Sequence, residues 1–313
     1  MNDLDDQGRD REVARLRRAN TSLQRQLAAA LTRAQRAERA LGGKPFMFGA
    51  LRRQKGRGAP SLPQSAARGL WVNPRFAQDA SEVNDLIVFF HAQRTGGSAL
   101  RHLFADALGR EQVYCTQFTD DFQHWERVTP SALANKTVFA GHSNFEPREM
   151  GRRLRPISLV RHPFFRTVSL YFYCKKYPNQ FLHPLTEGRD LRAFYEVASA
   201  KKPVYFHNVM CRRIAGEPSC EAALASLSDR FLAVGATERL GEFVRWLFAH
   251  EGLDVPGVPV QPPDHERYAE YLTDHTFIEQ VMAANREDAR LFETLNAAGL
   301  GLPDDAYPKG PTA

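Results

Sequence analysis

Long apolar runs are absent from this sequence of 313 residues. A membrane-spanning helix needs about 20 consecutive apolar residues, whereas the longest run here, at positions 86–90, has the length of a strand. The first residues include Asp3, Asp5 and Asp6, unlike the basic start of a signal peptide. We therefore expect a cytoplasmic protein.

Cysteine is scarce and shows no pattern. The four cysteines, at positions 115, 174, 211 and 220, form neither a CxxC pair nor a cysteine–histidine cluster with the spacing of a zinc site. Reduced thiols are the ordinary state of such cysteines in the cytosol. We expect no disulfide and no metal site.

Basic charge is not in excess over most of the chain, although the net charge is +6. Residues 81–313 hold 26 Lys and Arg against 29 Asp and Glu. The excess lies in residues 1–41, with nine basic and six acidic side chains, and in residues 42–80, with seven and one. We therefore expect no nucleic-acid partner for the main part of the chain.

Residues 1–41 have the pattern of a coiled-coil helix. With Val13 at position a, eight of nine a and d positions are apolar, the exception being Asn20. An asparagine at an a position favours a parallel dimer in one register, and Gly and Pro are absent between Asp10 and Leu41. The pattern predicts a homodimer through residues 13–41; a solitary amphipathic helix is the alternative.

Residues 42–80 are rich in Gly, Pro, Ser and Gln and lack periodicity, which predicts a basic flexible linker. Within it, the stretch KPFMFGALRRQKGR at 44–57 places apolar side chains beside a basic cluster. Such a segment can lie on an anionic membrane surface. Peripheral contact with the inner membrane through residues 44–57 is therefore one interpretation, and a plain linker is the simpler one.

Between residues 81 and 302, strand and helix signals alternate. Four apolar runs predict buried strands, at 85–91, 137–142, 156–162 and 231–239. Helical patterns follow at 97–108, 164–175 and 240–250, and a packing helix is predicted at 275–298. This alternation predicts an α/β domain with a central parallel sheet covered by helices, followed by a tail at 303–313.

The segment HAQRTGGSALRHLF, at 91–104, is typical of a phosphate-binding loop between a strand and a helix. Gly96 and Gly97 allow the backbone to approach an anion, and the first amides of the helix point toward it. Arg94 supplies a cation, and Thr95 and Ser98 supply hydroxyls. The lysine of a GxxxxGK[ST] loop is missing, which argues against a kinase of the usual type. A simple Gly-Gly turn remains the alternative.

A second segment, ISLVRHPFFRTVSLYFY at 157–173, delivers Arg161 to the end of a strand. Pro163 suits the first turn of the next helix, which places Ser169 about two turns in. Arg161 and Ser169 would then meet at one phosphate. Because ligands of α/β sheets bind at the carboxyl ends of strands, Arg94 and Arg161 together predict a nucleotide phosphorylated at two positions.

These two segments resemble the cofactor motifs of sulfotransferases that use 3′-phosphoadenosine-5′-phosphosulfate (PAPS), in particular the carbohydrate branch that includes heparan sulfate 2-O-sulfotransferase. Weaker similarity follows in the family order, up to about residue 296, in the stretches at 140–145, 206–216, 231–243 and 285–295. The resemblance implies a P-loop-like three-layer fold. It also implies transfer of a sulfuryl group from PAPS to a hydroxyl, on a glycan or glycolipid, without a metal.

The resemblance also implies roles for individual residues. Arg94, where the family has lysine, would bind and activate the phosphosulfate, together with Thr95, Gly96, Gly97, Ser98 and Ala99. Arg161 and Ser169 would hold the 3′-phosphate, and His142 would be the catalytic base.

Bland interpretations of some of these residues stay open. His142 is alternatively a packing residue at a strand end, and His91 is expected to buttress the loop. Glu238 could contact the ligand, or it could form a structural ion pair. The arginine in place of lysine leaves open a non-catalytic nucleotide- or glycan-binding scaffold with a degenerate sulfotransferase domain.

Overall fold

The computed structural model describes residues 69–300, except residues 77, 80, 83, 256 and 259–263. The predictions of a coiled-coil helix at 1–41, of membrane contact at 44–57 and of a tail at 303–313 lie outside the described residues. No helix in the described part is long and apolar enough to cross a membrane.

Six strands form one mixed sheet in the order β1-β6-β5-β2-β4-β3. Their bounds are β1 Leu70–Val72, β2 Leu86–His91, β3 Val113–Tyr114, β4 Val138–Gly141, β5 Leu154–Val160 and β6 Ala233–Ala236. Every neighbouring pair is parallel except β1 and β6, which are antiparallel. The α/β class is thus confirmed, whereas the prediction of a wholly parallel sheet is wrong at this edge.

The helices connect the strands and continue after them. Their bounds are α1 Gly97–Leu108, α2 Pro163–Lys176, α3 Leu191–Lys201, α4 Val209–Ala215, α5 Cys220–Arg230, α6 Leu240–His250, α7 Asp264–Arg267, α8 His275–Ala284 and α9 Arg286–Leu295. The predicted helices at 97–108 and 240–250 are confirmed at their bounds. The helix predicted at 275–298 is instead two helices that meet at Asn285.

Strand β1 lies in the stretch that we expected to be a linker. Trp71 is fully buried and pairs with Val234 of β6. The Asn73 side chain then donates to the carbonyl oxygens of Leu227 and Ser228, at 3.0 and 2.9 Å. Three apolar residues suffice for a strand here because β6 supplies the hydrogen bonds. The folded domain therefore begins before Ser81, which corrects the expected boundary.

Helices cover both faces of the sheet. Alternate side chains of a strand point to opposite faces: Val88 and Phe90 of β2 pack with α4, α5 and α9, whereas Ile87 and Phe89 pack with α1 and α6. A third cluster joins α2, α3 and α8 beside the sheet. Because both faces of the sheet are covered, a site can form at the end of the sheet where the carboxyl termini of the parallel strands continue into loops.

Helices α4 and α9, which are distant in sequence, cap each other at their first turns. The buried Asp288 carboxylate of α9 accepts the backbone N–H groups of Met210 and Cys211 in α4, at 2.9 and 2.8 Å. In return, the Asn208 side chain accepts the N–H groups of Glu287 and Asp288 at 3.1 and 3.2 Å. Helix starts leave such N–H groups unsatisfied, so each helix completes the other.

We expect Asp288→Ala to lower the free energy of unfolding by about 2–6 kcal/mol, because two buried N–H groups lose their acceptor at about 1–3 kcal/mol each. Urea unfolding followed by circular dichroism measures the loss. Glu293→Ala, an exposed change on the same helix, should shift stability by less than about 0.5 kcal/mol. Equal stabilities for the two variants would contradict the capping role.

Candidate functional site

The loop between β2 and α1 makes a sharp left-handed turn. Arg94 has φ 71° and Gly96 has φ 90°, a region that glycine adopts freely and a long side chain rarely does. Among the residues that the structure describes, no side chain caps the start of α1. The first amides of this 12-residue helix are therefore available to an anion, and Arg94 is held in a strained conformation next to them.

The side chain of His91 packs against this loop at Gly97. A Cβ atom added to Gly97 would lie 1.8 Å from His91 Nε2, so only glycine leaves room for the imidazole. The ring stacks on Phe89 with centroids 4.2 Å apart, and Arg101 Nη1 lies 3.4 Å from Nε2. Burial keeps the pKa of His91 well below its usual value. This neutral ring buttresses the loop, as the sequence predicts.

The carboxyl ends of β2, β4, β5 and β6 open into one cavity of about 760 Å³, within the range of ligand sites in proteins. The predicted site residues Arg94, Gly96, Gly97, Ser98, Ala99, His142, Arg161 and Ser169 all line it. Thr95 does not line it: the side chain is fully buried and donates to the Ala92 carbonyl oxygen at 2.9 Å. Its hydroxyl therefore closes the loop and is not presented to a ligand.

The two predicted phosphate segments contact each other directly. Arg94 Nε donates to Ser169 Oγ at 3.2 Å, and the Arg94 guanidinium lies 4.4 Å from the ring centroid of Tyr173 on the same helix. Arg161 Nη1 donates to the Arg94 carbonyl oxygen at 2.9 Å. Ser169 is thus hydrogen-bonded to Arg94, and the prediction that Ser169 and Arg161 meet at one phosphate stays a prediction.

Arg161 forms a buried ion pair that the sequence does not reveal. Its Nε and Nη2 donate to the two carboxylate oxygens of Asp264, each at 2.5 Å, and the Asp264 N–H donates to Glu238 Oε1 at 2.7 Å. Burial would lower the pKa of Arg161, but the bonds and charge of Asp264 outweigh it and raise the pKa. Asp264 lies 103 residues from Arg161, in a segment without periodicity, so no local pattern could predict the pair.

His142 follows β4 directly and lines the cavity. Its ring meets the His91 ring edge-to-face, with centroids 4.6 Å apart. Burial, and then the charges of Arg101 and Arg213 among others, lower the pKa of His142 to about 3. The imidazole is therefore neutral at physiological pH and has the protonation state of a base.

Two further arginines lie on the His142 side of the cavity and were not predicted. Arg101 donates to Ser98 Oγ at 3.2 Å, and Arg213 donates to Asn144 Oδ1 at 2.6 Å. Among the described residues, neither forms an ion pair. Both occur in segments used for the resemblance, but their charge does not stand out in a sequence with 42 Lys and Arg. The result is a cavity with excess positive charge.

Comparison with known proteins adds no family to this geometry. A scan against protein-family models found no matching family, and a search of curated proteins found no match. The interpretation of the site therefore depends on its own residues and on the resemblance of its motifs.

We expect Gly97→Ala to destabilise the protein by about 1–3 kcal/mol, because the methyl group would displace the buried His91 ring. In a His91→Ala background the same change should be neutral or stabilising, since alanine is the better helix former. Thermal unfolding of the single and double variants measures this coupling. Gly257→Ala, where the added Cβ meets nothing within 4 Å, is the control. Additive effects at positions 91 and 97 would contradict the buttressing role.

Proposed function

We propose that this protein is a sulfotransferase that moves the sulfuryl group of PAPS to a hydroxyl acceptor. The observation that supports it most is the meeting of two anion-binding segments at one cavity, joined by the 3.2 Å bond from Arg94 to Ser169. A donor with phosphates at its 3′ and 5′ positions requires two such segments. A nucleotide with a single phosphate chain does not.

The phosphosulfate would bind at the start of α1, where Gly97 and Ser98 offer uncapped amides beside Arg94. Among the described residues, Arg94 has no ion-pair partner, so an anion would be its first full counter-charge. Ser169 and Arg161 would face the 3′-phosphate. Arginine keeps the charge of the family's lysine and adds a planar fork, which suits binding of phosphate oxygens.

In the proposed reaction, the acceptor oxygen forms a bond to sulfur while the bond from sulfur to the bridging phosphate oxygen breaks. The acceptor proton passes to His142, and the electron pair of the broken bond stays on the adenosine bisphosphate. Arg94 and the loop amides stabilise the charge that develops on the leaving oxygen. Positioning the two reactants in line supplies much of the remaining rate enhancement.

The pKa of His142 links base strength to donor binding. A base with a pKa of about 3 accepts a proton poorly at neutral pH. After burial, the causes of this low pKa are positive charges, including those of Arg101 and Arg94. A bound phosphosulfate would offset those charges and raise the pKa of His142. The empty site would thus hold a weak base, and the donor complex a stronger one.

The mouth of the cavity supports a glycan or glycolipid as the acceptor. Phe181 is 55% exposed, and its ring centroid lies 4.8 Å from that of Tyr205; both residues line the cavity. The buried Arg166 donates to the carbonyl oxygens of Tyr205 and Phe206 and holds this segment in place. An aromatic face of this kind suits the apolar face of a sugar ring.

A scaffold without catalytic activity is the second candidate. Its support is the Asp264 carboxylate, which occupies the Arg161 fork that the 3′-phosphate would need. In such a protein the domain would bind a nucleotide or a glycan without transferring a sulfuryl group. Measured transfer of the sulfuryl group from PAPS separates the two candidates.

Several features outside this site are part of the same proposal. The domain would belong to the P-loop-like class, which the succession of β2, loop and α1 at 86–108 supports. The chain would be a cytoplasmic homodimer through residues 13–41, and residues 44–57 would contact the inner membrane. A metal would not take part, since arginines supply the positive charge.

We expect adenosine 3′,5′-bisphosphate to raise the melting temperature by several degrees more than AMP or ATP, because a ligand at 100 times its Kd stabilises the folded state by about 2.7 kcal/mol. Ser169→Ala should reduce the shift with bisphosphate more than the shift with AMP, because AMP has no 3′-phosphate. Differential scanning fluorimetry measures both, with the exposed Ser131→Ala as the control. Equal shifts for ATP and the bisphosphate would reject PAPS as the donor.

We expect His142→Ala to reduce sulfuryl transfer by about 10²- to 10⁴-fold, the usual contribution of a positioned base, with bisphosphate affinity nearly intact. By NMR, the His142 imidazole should titrate near pH 3 in the unliganded protein. With bisphosphate bound it should titrate at a higher pH, since the anion favours the protonated form. His275→Ala, an exposed change away from the cavity, is the control. Transfer at the wild-type rate by His142→Ala would place the base elsewhere.

A further inference from the structure

The two-pronged edge of the Arg161 guanidinium is already used. Nε and Nη2 form the two-pronged edge of a guanidinium that matches a carboxylate or a phosphate, and both donate to Asp264. Nη1 donates to the Arg94 carbonyl oxygen. Arg161 and Asp264 are 5% and 4% exposed, so water does not compete for these bonds. A phosphate cannot use the same edge while the Asp264 carboxylate is there.

The positive charges of Arg94 and Arg161 act on each other. The pKa of Arg94 is lowered by burial and, next, by the positive charge of Arg161. Asp264 supplies one negative charge, through its two bonds to Arg161. A phosphate monoester carries about −1.5 to −2 at neutral pH. Replacing the carboxylate by a phosphate would therefore neutralise both arginines better than the aspartate does.

We infer that Asp264 is the resident anion of the 3′-phosphate site, and that nucleotide binding is an exchange in which the phosphate replaces the Asp264 carboxylate on Arg161. This inference rests on the proposed function for the identity of the nucleotide. The existence of an anion site at Arg161 does not depend on the proposed function. The Asp264 carboxylate then lowers the affinity for every ligand that needs Arg161, while ligands that use the α1 loop alone are unaffected.

A permanent pair is the competing interpretation. In that case Asp264 orients Arg161 and stays in place when a phosphate binds to other atoms nearby. The two interpretations predict opposite signs for Asp264→Asn, which keeps the size of the side chain and removes its charge. Exchange predicts tighter binding of the 3′-phosphate, because a competitor is lost. A permanent orienting pair predicts weaker binding.

The chain offers a matched control pair outside the cavity. Arg155 donates through Nε and Nη2 to Glu251 Oε1 at 2.9 and 2.7 Å, and the side chains are 4% and 2% exposed. Neither residue lines the cavity. Glu251→Gln therefore removes the same kind of buried carboxylate from the same kind of fork, at a place where no ligand is expected.

The first measurement uses inorganic sulfate and needs no nucleotide. Both Asp264→Asn and Glu251→Gln should lower the melting temperature, because each removes a carboxylate from a buried guanidinium. Arg155 keeps a second, more distant carboxylate, that of Asp85 at 3.7 Å, so the loss should be smaller for Glu251→Gln. Sulfate should then raise the melting temperature of Asp264→Asn by about 5 °C more than that of the wild type or of Glu251→Gln. Equal effects of sulfate on all three proteins would overturn the exchange.

The second measurement is titration calorimetry with adenosine 3′,5′-bisphosphate and with AMP. Asp264→Asn should bind the bisphosphate at least about tenfold more tightly than the wild type, since the binding-competent state is no longer a minor one. Its affinity for AMP should change less than about twofold, because AMP has no 3′-phosphate. Glu251→Gln should leave both affinities unchanged. Weaker binding of bisphosphate by Asp264→Asn would overturn the exchange in favour of a permanent orienting pair.

The two measurements separate this inference from the proposed function. If sulfate stabilises only Asp264→Asn but no protein binds the bisphosphate, the exchange stands and PAPS is rejected. If all bind the bisphosphate and sulfate has no selective effect, the donor stands and the exchange is rejected. Should Asp264→Asn fail to fold even in sulfate, Asp264→Glu replaces it. The longer glutamate side chain should fit the Arg161 guanidinium less well than aspartate does. The Asp264→Glu variant should therefore bind the bisphosphate more tightly than the wild type, and equal or weaker binding would reject the exchange.

Discussion

Burial of the Arg161 guanidinium is the constraint on which the rest of this site depends. A buried cation is costly unless it is paired and hydrogen-bonded, so strand β5 cannot end in Arg161 without partners from elsewhere. Asp264 supplies the charge and the Arg94 carbonyl supplies an acceptor. One side chain thereby joins the end of β5, the loop after β2 and the start of α7. Arg94 has a left-handed conformation. The bond from Arg161 Nη1 to the Arg94 carbonyl oxygen holds one side of this loop, and the His91 ring packs against Gly97 at the other.

Elements with many apolar residues could be predicted from the sequence, and short ones could not. The runs at 85–91 and 156–162 become β2 and β5 because a strand buried on both faces is apolar throughout. Strand β3 has two residues and β1 three, too few for any period to be visible. The break between α8 and α9 depends on Asn285, whose side chain accepts the N–H of Asn208 at 3.0 Å. That contact joins residues 77 positions apart, so no local pattern reveals it.

Residues of the candidate site could be predicted where position along a strand decides their place. Arg94, His142 and Arg161 each follow a strand, and neighbouring parallel strands bring their carboxyl ends together. Directions of side chains were not predictable in the same way. Thr95 turns into its own loop, and Ser169 accepts a hydrogen bond from Arg94, a contact that the sequence does not indicate. Asp264, Arg101 and Arg213 become visible only when segments distant in sequence are packed together.

The reciprocal caps of α4 and α9 have a consequence during synthesis of the chain. The acceptor for the Cys211 N–H group is Asp288, 77 residues later. At about 5–20 residues per second, the ribosome needs roughly 4–15 s to add that stretch. During this interval the emerging chain holds strands β2 to β5 and the first turn of α4, but not the carboxylate that completes that turn. The face of the sheet that α9 covers stays exposed for the same time, which makes it the surface that a chaperone would meet on the nascent protein.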